Sequence, residues 1–269
     1  MLKTIASAVL IATALFSTSV QATQQDVLPI EECVSHAPYG FPKSRKIKST
    51  TICRKGYVLE HDNVAKIPMW VSYVLSPTEV MGCLPRRDAF ATDRSLDDAA
   101  TPGDYAKSGY DMGHMANSAD MRWDVQVEED SFILSNMAPQ LPGFNRGIWK
   151  KLEDYTRAWS FSREHDLLIY VGPIYNRKQN KTIGRSMVTV PSGFYKIIID
   201  TVTSEAMVYT FPHKGARGSL TPFITSLAEV QRQTNLVFPL PATTSFSVSP
   251  WQLKIKSTSQ VRKEACKLK

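Results

Sequence analysis

One stretch of 48 residues decides the fold of this chain. Residues 110–157 read YDMGHMANSADMRWDVQVEEDSFILSNMAPQLPGFNRGIWKKLEDYTR. The order of apolar runs and breaks predicts a strand that carries His114, a second short strand, and a helix with Asn145 at its start. The helix has a clear apolar stripe, formed by Ile148, Leu152, Tyr155 and Trp159.

The same helix is expected to bring two polar side chains to one side. Successive helical residues are about 100° apart, so Asn145 and Glu153 point in similar directions. An imidazole, a neutral amide and a carboxylate can therefore converge. This combination suits metal-assisted phosphodiester hydrolysis, because His114 can deprotonate a water near neutral pH. Mg²⁺ keeps most of its waters and needs few protein oxygens.

These motifs resemble the DNA/RNA non-specific endonuclease family of the ββα-metal superfamily, which includes secreted bacterial nucleases and mitochondrial endonuclease G. The family pattern reads Asp-Arg-Gly-His, Leu-Ser-Asn-x-x-Pro-Gln, Asn-x-x-x-Trp and Leu-Glu. This chain carries the four motifs in that order, densely between about residues 104 and 160 and more weakly from about 57 to 240. The resemblance implies a ββα-metal nuclease fold, a Mg²⁺ cofactor with Mn²⁺ as a substitute, and products with 5′-phosphates.

Carried over to this chain, the resemblance implies a role for each matching residue. His114 is the expected general base, Asn145 the direct metal ligand, and Glu153 the carboxylate that holds the metal's waters. Asn136 is expected to help shape the site. Simpler alternatives remain: Asn145 as a helix N-cap only, and Asn136 as a turn residue. Glu153 can also be merely an i,i+4 partner of Arg157.

Two arginines are candidates for binding the substrate phosphate. Arg87 is expected in the site, although its neighbour Arg86 is an alternative, and Arg157 is a weaker candidate. One position departs from the family pattern, because its Arg is Met112 here, and Met cannot fork onto phosphate oxygens. We expect the base and the metal ligand to persist and another cation to compensate. Asp111 is expected to pin its loop through backbone amides.

Outside this stretch, strand signals outnumber helix signals. The predicted strands are Gly56–His61, Trp70–Leu75, Phe132–Ser135, Leu167–Val171, Met187–Val190, Phe194–Ile199 and Ala206–Phe211. Gly172 and Pro173 are expected to close the strand before them, and Thr221 to cap a second helix. Because most strands follow one another directly, we predict an α+β fold with a central antiparallel sheet flanked by helices. Residues 23–269 are predicted to form a single domain with an irregular lead-in over 23–50.

The first 22 residues predict export. Lys3 precedes a mostly apolar stretch, Ile5–Phe16, and Ala22 provides a small residue for signal peptidase cleavage. A buried N-terminal helix is the alternative. We expect cleavage after Ala22 and a periplasmic or secreted mature protein.

The cysteines agree with export. An even number, four, predicts two disulfides in an exported chain. We favour Cys33–Cys53 with Cys83–Cys266, which would pin the C-terminal tail, and the sequence leaves the other two pairings open. A zinc site is disfavoured, because no two cysteines have Cys-x-x-Cys spacing.

Composition and charge narrow the function classes. With 43% hydrophobic and 21% charged residues, the chain is neither collagen-like, mucin-like nor fully disordered. No apolar run approaches the ~20 residues of a membrane span, so no membrane anchor is expected. The net charge of +7 favours an acidic partner, nucleic acid first.

The preferred function is therefore a sugar-nonspecific endonuclease with DNA and RNA as substrates. The alternatives are a nucleic-acid-binding module of the same fold with reduced or no activity, and an exported phosphatase or nucleotide pyrophosphatase. The oligomeric state stays open, a homodimer being one alternative.

Overall fold

The computed structural model describes residues 26–44, 48–176, 181–253 and 258–267. Eleven strands lie in these ranges: β1 (Ser49–Arg54), β2 (Tyr57–Asp62), β3 (Ile67–Leu75), β4 (Asp111–His114), β5 (Met137–Gln140), β6 (Leu167–Ile174), β7 (Thr182–Ile183), β8 (Val188–Thr189), β9 (Gly193–Asp200), β10 (Glu205–Pro212) and β11 (Ser245–Phe246). Seven of them form a sheet in the order β1-β2-β3-β6-β9-β10-β11. All its neighbouring pairs are antiparallel except β10–β11.

Helices flank this sheet. They are α1 (Pro77–Val80), α2 (Pro102–Tyr105), α3 (Val125–Asp130), α4 (Pro142–Phe144), α5 (Lys150–Arg163), α6 (Leu227–Thr234) and α7 (Thr258–Lys267). The predicted α+β fold with a central antiparallel sheet flanked by helices is thus confirmed. None of the helices in the described ranges has the length and apolar character that crossing a membrane requires.

Both faces of the sheet are buried. One face packs against α5 and the β4–β5 hairpin, through side chains such as Leu152 and Trp159. The other packs against the N-terminal 3-10 segment Ile30–His36 and α6, around Trp70 and Tyr170. This two-sided cover explains why central strands such as β6 are apolar along their length instead of alternating.

The β4–β5 hairpin and α5 form the ββα unit that the sequence predicted. His114 ends β4 and pairs with Met137 of β5. Between β5 and α5, however, the chain makes the short α4 and a π-helical turn, Asn145–Trp149. Gly147 has non-helical dihedrals there (φ −104°, ψ −112°). The prediction of one continuous helix from Asn145 is therefore wrong, and Asn145 lies one turn before the regular helix.

A close backbone approach explains the glycine at this kink. A Cβ atom on Gly147 would lie 2.9 Å from the carbonyl oxygen of Ala216. Real Cβ atoms do not approach that closely, so a larger residue would push apart the kink and the loop that follows β10.

Two of the local predictions fail for tertiary reasons. Phe132–Ser135 is not a strand: the chain turns through a 3-10 segment, Leu134–Asn136, and pairing starts at Met137. The β6 strand continues through Pro173 to Ile174. Beyond Val171 it pairs with β9 but no longer with β3, so the missing N–H of Pro173 costs no hydrogen bond on the β3 side.

Two further boundaries differ from the sequence prediction. The capped helix begins after Ser226, whose hydroxyl accepts the Glu229 amide at 3.1 Å, and Thr221 lies in a separate 3-10 turn. The lead-in predicted as irregular ends in β1, whose first residue is Ser49. Propensity placed these elements close to their true positions but could not define their ends.

The favoured disulfide pairing is confirmed. Cys33 bonds to Cys53 within the N-terminal region, and Cys83 bonds to Cys266 across 183 residues of sequence. The second bond attaches α7 to the loop that follows α1. The predicted signal peptide, residues 1–22, lies outside the described residues.

Candidate active site

One large cavity, of about 1250 Å³, opens between the β4–β5 hairpin, the start of α5 and α7. His114, Asn145 and Glu153 all line it, as do Arg157 and Met112. Leaving the arginines aside, the sequence predicted four catalytic or metal-binding side chains, and the structure brings three of them together in this cavity. The fourth, Asn136, lies behind the cavity wall and is fully buried.

The wall around His114 is apolar. The imidazole is 8% exposed and makes an edge contact with Phe132 at 5.1 Å between ring centroids. Phe90 packs on it at 5.6 Å. Burial, together with the positive charge of Arg86, lowers the pKa of His114 from 6.5 to about 3. Its Nε2 atom is buried and has no hydrogen-bond partner among the described residues. The lowered pKa makes the ring neutral at neutral pH.

Asn136 holds the backbone that carries this histidine. Its Oδ1 accepts the Ala116 amide at 2.8 Å, and its Nδ2 donates to the Ala116 carbonyl at 2.9 Å. Nδ2 also donates to the Ser131 carbonyl. The Asn136 side chain therefore fixes the backbone of Ala116, which lies two residues after His114. A residue that only forms a local turn does not make these long-range bonds.

Asp111 orients the residue predicted to bind the metal. The Asn145 Nδ2 donates to Asp111 Oδ2 at 2.9 Å, which directs the amide so that its Oδ1 has no bond to any described residue. Arg146 forks onto the same carboxylate, with Nε–Oδ2 and Nη2–Oδ1 distances of 3.0 and 2.7 Å. Asp111 thus pins side chains of the π-helical turn and not, as expected, the backbone amides of its own loop.

Glu153 belongs to a buried group of charges beneath the cavity. It is 6% exposed, and burial raises its pKa, with Lys196 and Asn117 opposing the shift. Arg157 is equally buried and donates from Nη1 to Asp120 at 2.6 Å and from Nη2 to Asp154. Burial alone would lower the pKa of Arg157, but the two aspartates raise it.

Lys196 is a member of this group that the sequence analysis missed. It is fully buried, its Nζ has no hydrogen-bond partner among the described residues, and it lies 5.0 Å from the centroid of the Trp149 ring. Burial lowers its pKa, while Glu153 and Asp120 raise it. The signal was available: a single lysine interrupts the otherwise apolar run of β9, where a charge needs a buried counter-charge.

The arginine that lies in the cavity near His114 is not the one that the sequence analysis favoured. Arg86 lines the cavity and lies 5.0 Å from the centroid of the Phe132 ring. Arg87 is not among the cavity-lining residues, and its guanidinium pairs with Glu129. The structure thus places the alternative, Arg86, near His114. Met112 presents a thioether to the cavity and packs partly against the core.

The oxygen donors here fit a hard divalent cation. Asn145 offers a free amide oxygen and Glu153 a carboxylate, both on the cavity wall. In the described ranges there is no group of three or more His, Cys, Asp or Glu side chains that could hold a metal. Zinc typically takes such a set, whereas Mg²⁺ binds through one or two protein oxygens and keeps its waters. The two oxygen donors therefore fit a hard divalent cation that keeps most of its waters.

Comparison with known proteins points to one group of enzymes. The sequence pattern of the family "DNA/RNA non-specific endonuclease" matches residues 36–244. Human mitochondrial endonuclease G is 31% identical over 219 residues, which cover 75% of this chain and 72% of that protein. A nuclease of Nostoc sp. is 35% identical over 149 residues, 53% of this chain and 52% of that protein.

A solved structure agrees with this comparison. The structure of the EndoG/EndoGI complex superposes with a TM-score of 0.64 and 28% sequence identity. The match covers 77% of this chain and 91% of that chain. The likeness therefore extends over most of the chain.

Proposed function

Because this chain belongs to the DNA/RNA non-specific endonuclease family, a family of phosphodiester hydrolases, we propose that it is an exported, Mg²⁺-dependent endonuclease that cuts both DNA and RNA. The observation that carries the proposal is the single cavity lined by His114, Asn145 and Glu153. Several cationic side chains surround these three groups, which suits a polyanionic substrate.

His114 is the general base in this proposal. Its low pKa keeps the imidazole unprotonated at neutral pH, so the ring can accept a proton from a water molecule as that water attacks phosphorus. Departure of the 3′ oxygen then leaves a 5′-phosphate on the product. No residue in this scheme needs a 2′-hydroxyl, so DNA and RNA are equivalent substrates.

Asn145 and Glu153 would hold the cation, Asn145 through its free Oδ1 and Glu153 through surrounding water. A bound Mg²⁺ or Mn²⁺ would stabilise the charge that develops on the phosphoryl and leaving oxygens. Asp111 keeps the Asn145 amide in the required orientation. Arg86 and Arg157 add positive charge to the cavity, although Arg157 is largely neutralised by its two aspartates.

Nicking of a supercoiled plasmid tests the proposal directly. Conversion to open-circle and linear forms in Mg²⁺, abolished by EDTA, supports an endonuclease, and parallel cleavage of a single-stranded RNA tests sugar tolerance. Product ends should be labelled by polynucleotide kinase only after phosphatase treatment, because they carry 5′-phosphates. Binding without nicking would support the alternative, a nucleic-acid-binding module with reduced or no activity. Hydrolysis of nucleotides without nicking would support the phosphatase or pyrophosphatase.

The metal assignment has its own test. Asn145→Ala should lower the rate and raise the Mg²⁺ concentration needed for half-maximal activity, because it removes a ligand oxygen. Arg146→Gln breaks a neighbouring pair of bonds to the same Asp111 carboxylate but removes no metal ligand, and it should leave that midpoint unchanged. If the midpoint stayed unchanged in Asn145→Ala as well, this residue would have only a structural role at the start of the helix.

Export completes the proposal. Two disulfides are typical of chains that fold in an oxidising compartment. We place the mature protein, residues 23–269 as one domain, in the periplasm or outside the cell. Mass spectrometry of periplasmic and medium fractions should find a chain that starts at Thr23. An uncleaved N-terminus in the cytoplasmic fraction would contradict export.

A further inference from the structure

The C-terminal segment contributes to the cavity although it lies beyond the family match, which ends at residue 244. Trp251 anchors it, since its carbonyl accepts the Trp159 indole N–H at 2.8 Å and the two rings meet edge to face. Beyond it, α7 packs against α5 and is bonded to the α1 loop through Cys266. Thr258, Ser259 and Arg262 of α7 all line the cavity.

Arg262 is held in place by backbone groups. Nε donates to the Val80 carbonyl at 2.8 Å, and Nη2 donates to the Val80 and Ala119 carbonyls, the latter at 2.8 Å. These bonds use three of the five guanidinium N–H groups. The two N–H groups on Nη1 have no acceptor among the described residues. The side chain is therefore ordered before any ligand arrives, yet keeps a free pair of donors.

The charge around Arg262 is also unbalanced. Arg157, its cationic neighbour, has two carboxylate partners, whereas Arg262 forms no ion pair with any described residue. Burial lowers the pKa of Arg262 to about 10, and the positive charge of Arg157 adds to that effect, while the more distant carboxylates Asp120 and Asp154 oppose it. The group still stays protonated at neutral pH. A partly buried cation that forms no ion pair, at the edge of a cavity, favours an anionic ligand.

We propose that Arg262 forms a second phosphate-binding subsite, in which its Nη1 donors bind a backbone phosphate of the nucleic-acid substrate next to the scissile one. This inference rests on the proposed function, because it takes nucleic acid as the ligand. The subsite belongs to the C-terminal segment outside the family match. It supplies a cation in a chain that has Met112 where the family pattern has an arginine.

Salt-dependent binding tests the subsite. The His114→Ala variant serves as the background, so that a fluorescent DNA duplex binds in Mg²⁺ without being cut. Anisotropy titrations are repeated between about 50 and 300 mM NaCl, a range wide enough to measure how affinity depends on salt. Arg262→Gln should weaken binding about 10- to 150-fold, the range for a hydrogen bond to a charged group. The slope of log K against log salt should become shallower by about 0.9.

Two matched variants separate a phosphate contact from a structural role. Lys263→Gln removes an exposed charge from the same helix, outside the cavity, and should change affinity and slope less than Arg262→Gln. Arg262→Lys keeps the charge but cannot make the same fork of backbone bonds. It should retain the salt slope if the charge contacts phosphate. If Arg262→Lys instead loses affinity and slope as fully as Arg262→Gln, the role is structural and the proposal is wrong.

The parent protein separates this proposal from the one on which it rests. A parent that nicks plasmid, with an Arg262→Gln variant that binds with the same affinity and salt slope, would overturn the subsite alone. A parent that neither binds nor nicks nucleic acid would overturn both proposals.

Discussion

The two walls of the cavity place their buried ionisable groups in different electrostatic surroundings. On the β4–β5 wall, His114 is buried among aromatic rings with no counter-charge and no hydrogen-bond partner among the described residues. On the α5 wall, Glu153 and Arg157 are as deeply buried, but they lie among opposite charges. The first wall favours the neutral form of its ionisable group. On the second wall, opposite charges oppose the effect of burial: they raise the pKa of Arg157, whereas the pKa of Glu153 is still raised by its burial.

This difference shows how one cavity can hold a base and a cation site side by side. Desolvation without compensation lowers the pKa of the imidazole and keeps its lone pair available. On the α5 wall, Asp120 and Asp154 outweigh desolvation at Arg157, whereas Lys196 only partly opposes desolvation at Glu153. Each wall can be weakened separately, and the expected effects differ in kind.

The largest effect is expected at the histidine wall. His114→Ala removes the base and should lower the cleavage rate about 10²–10⁴-fold, while the affinity for an uncut oligonucleotide stays near that of the parent. Added imidazole should restore part of the rate. As a control, His165→Ala removes a histidine that pairs with Asp200 rather than lining the cavity. Cleavage by His114→Ala close to the parent rate would exclude this residue as the base.

On the charged wall, the largest effect is expected in stability. Arg157→Met leaves Asp120 buried, and among the described residues the Tyr73 hydroxyl, at 2.8 Å, is then the one side chain that still donates to it. Breaking a buried pair in this way costs about 3–5 kcal/mol of unfolding free energy. Urea unfolding measures the loss. Lys150→Met breaks an exposed pair with Asp154 and should cost less than about 1 kcal/mol. Equal losses in the two variants would contradict the contrast between buried and exposed charges.

The pH dependence of stability sharpens the comparison further. The folded pKa of His114, about 3, lies below its unfolded value of 6.5, so the unfolded chain binds more protons between these values. The stabilising contribution of the neutral ring is complete above pH 6.5 and falls as the pH drops towards 3. The stability of the parent should decrease relative to His114→Gln by up to about 1.4 kcal/mol per pH unit.

This difference is measured by urea titrations of both proteins in EDTA at about pH 7.5 and 5.5, which lie on either side of the unfolded pKa of histidine. The comparison cancels the contribution of the other histidines, which both proteins share. A difference that stayed constant between the two pH values would mean that the folded ring takes up a proton as readily as the unfolded one.

The smallest effect is expected at Met112, where a neutral residue faces the cavity. Arg86, Arg146 and Arg262 already bring positive charge to the same space. A new arginine would crowd them, so Met112→Arg should leave kcat/KM within about threefold of the parent or lower it, a change below 1 kcal/mol. A clear gain, with Arg87→Ala and Arg157→Ala both near neutral in the parent, would show that the missing arginine is a simple loss.

Local motifs predicted much of this site. The order of strand, strand and helix, and the shared cavity of His114, Asn145 and Glu153, follow from four short patterns and their spacing. The kink at Gly147 did not follow from them, because it depends on the approach of the Ala216 carbonyl from a distant loop. The end of β6 was misjudged for a similar reason, since the tolerance for Pro173 depends on where the β3 partner stops.

The sequence by itself determined the α+β class and the ββα unit, because these depend on periodicity and on contacts within about 50 residues. Through its family motifs it also indicated the residues that we propose for the chemistry. It also favoured the correct disulfides without excluding the others. Only the tertiary structure decided that Arg86 and not Arg87 lines the cavity, that Lys196 lies beneath it, and that Arg262 joins it from the C-terminal helix. The physical reason is that burial and electrostatic interaction depend on distance in space, which the spacing of these residues along the chain does not fix.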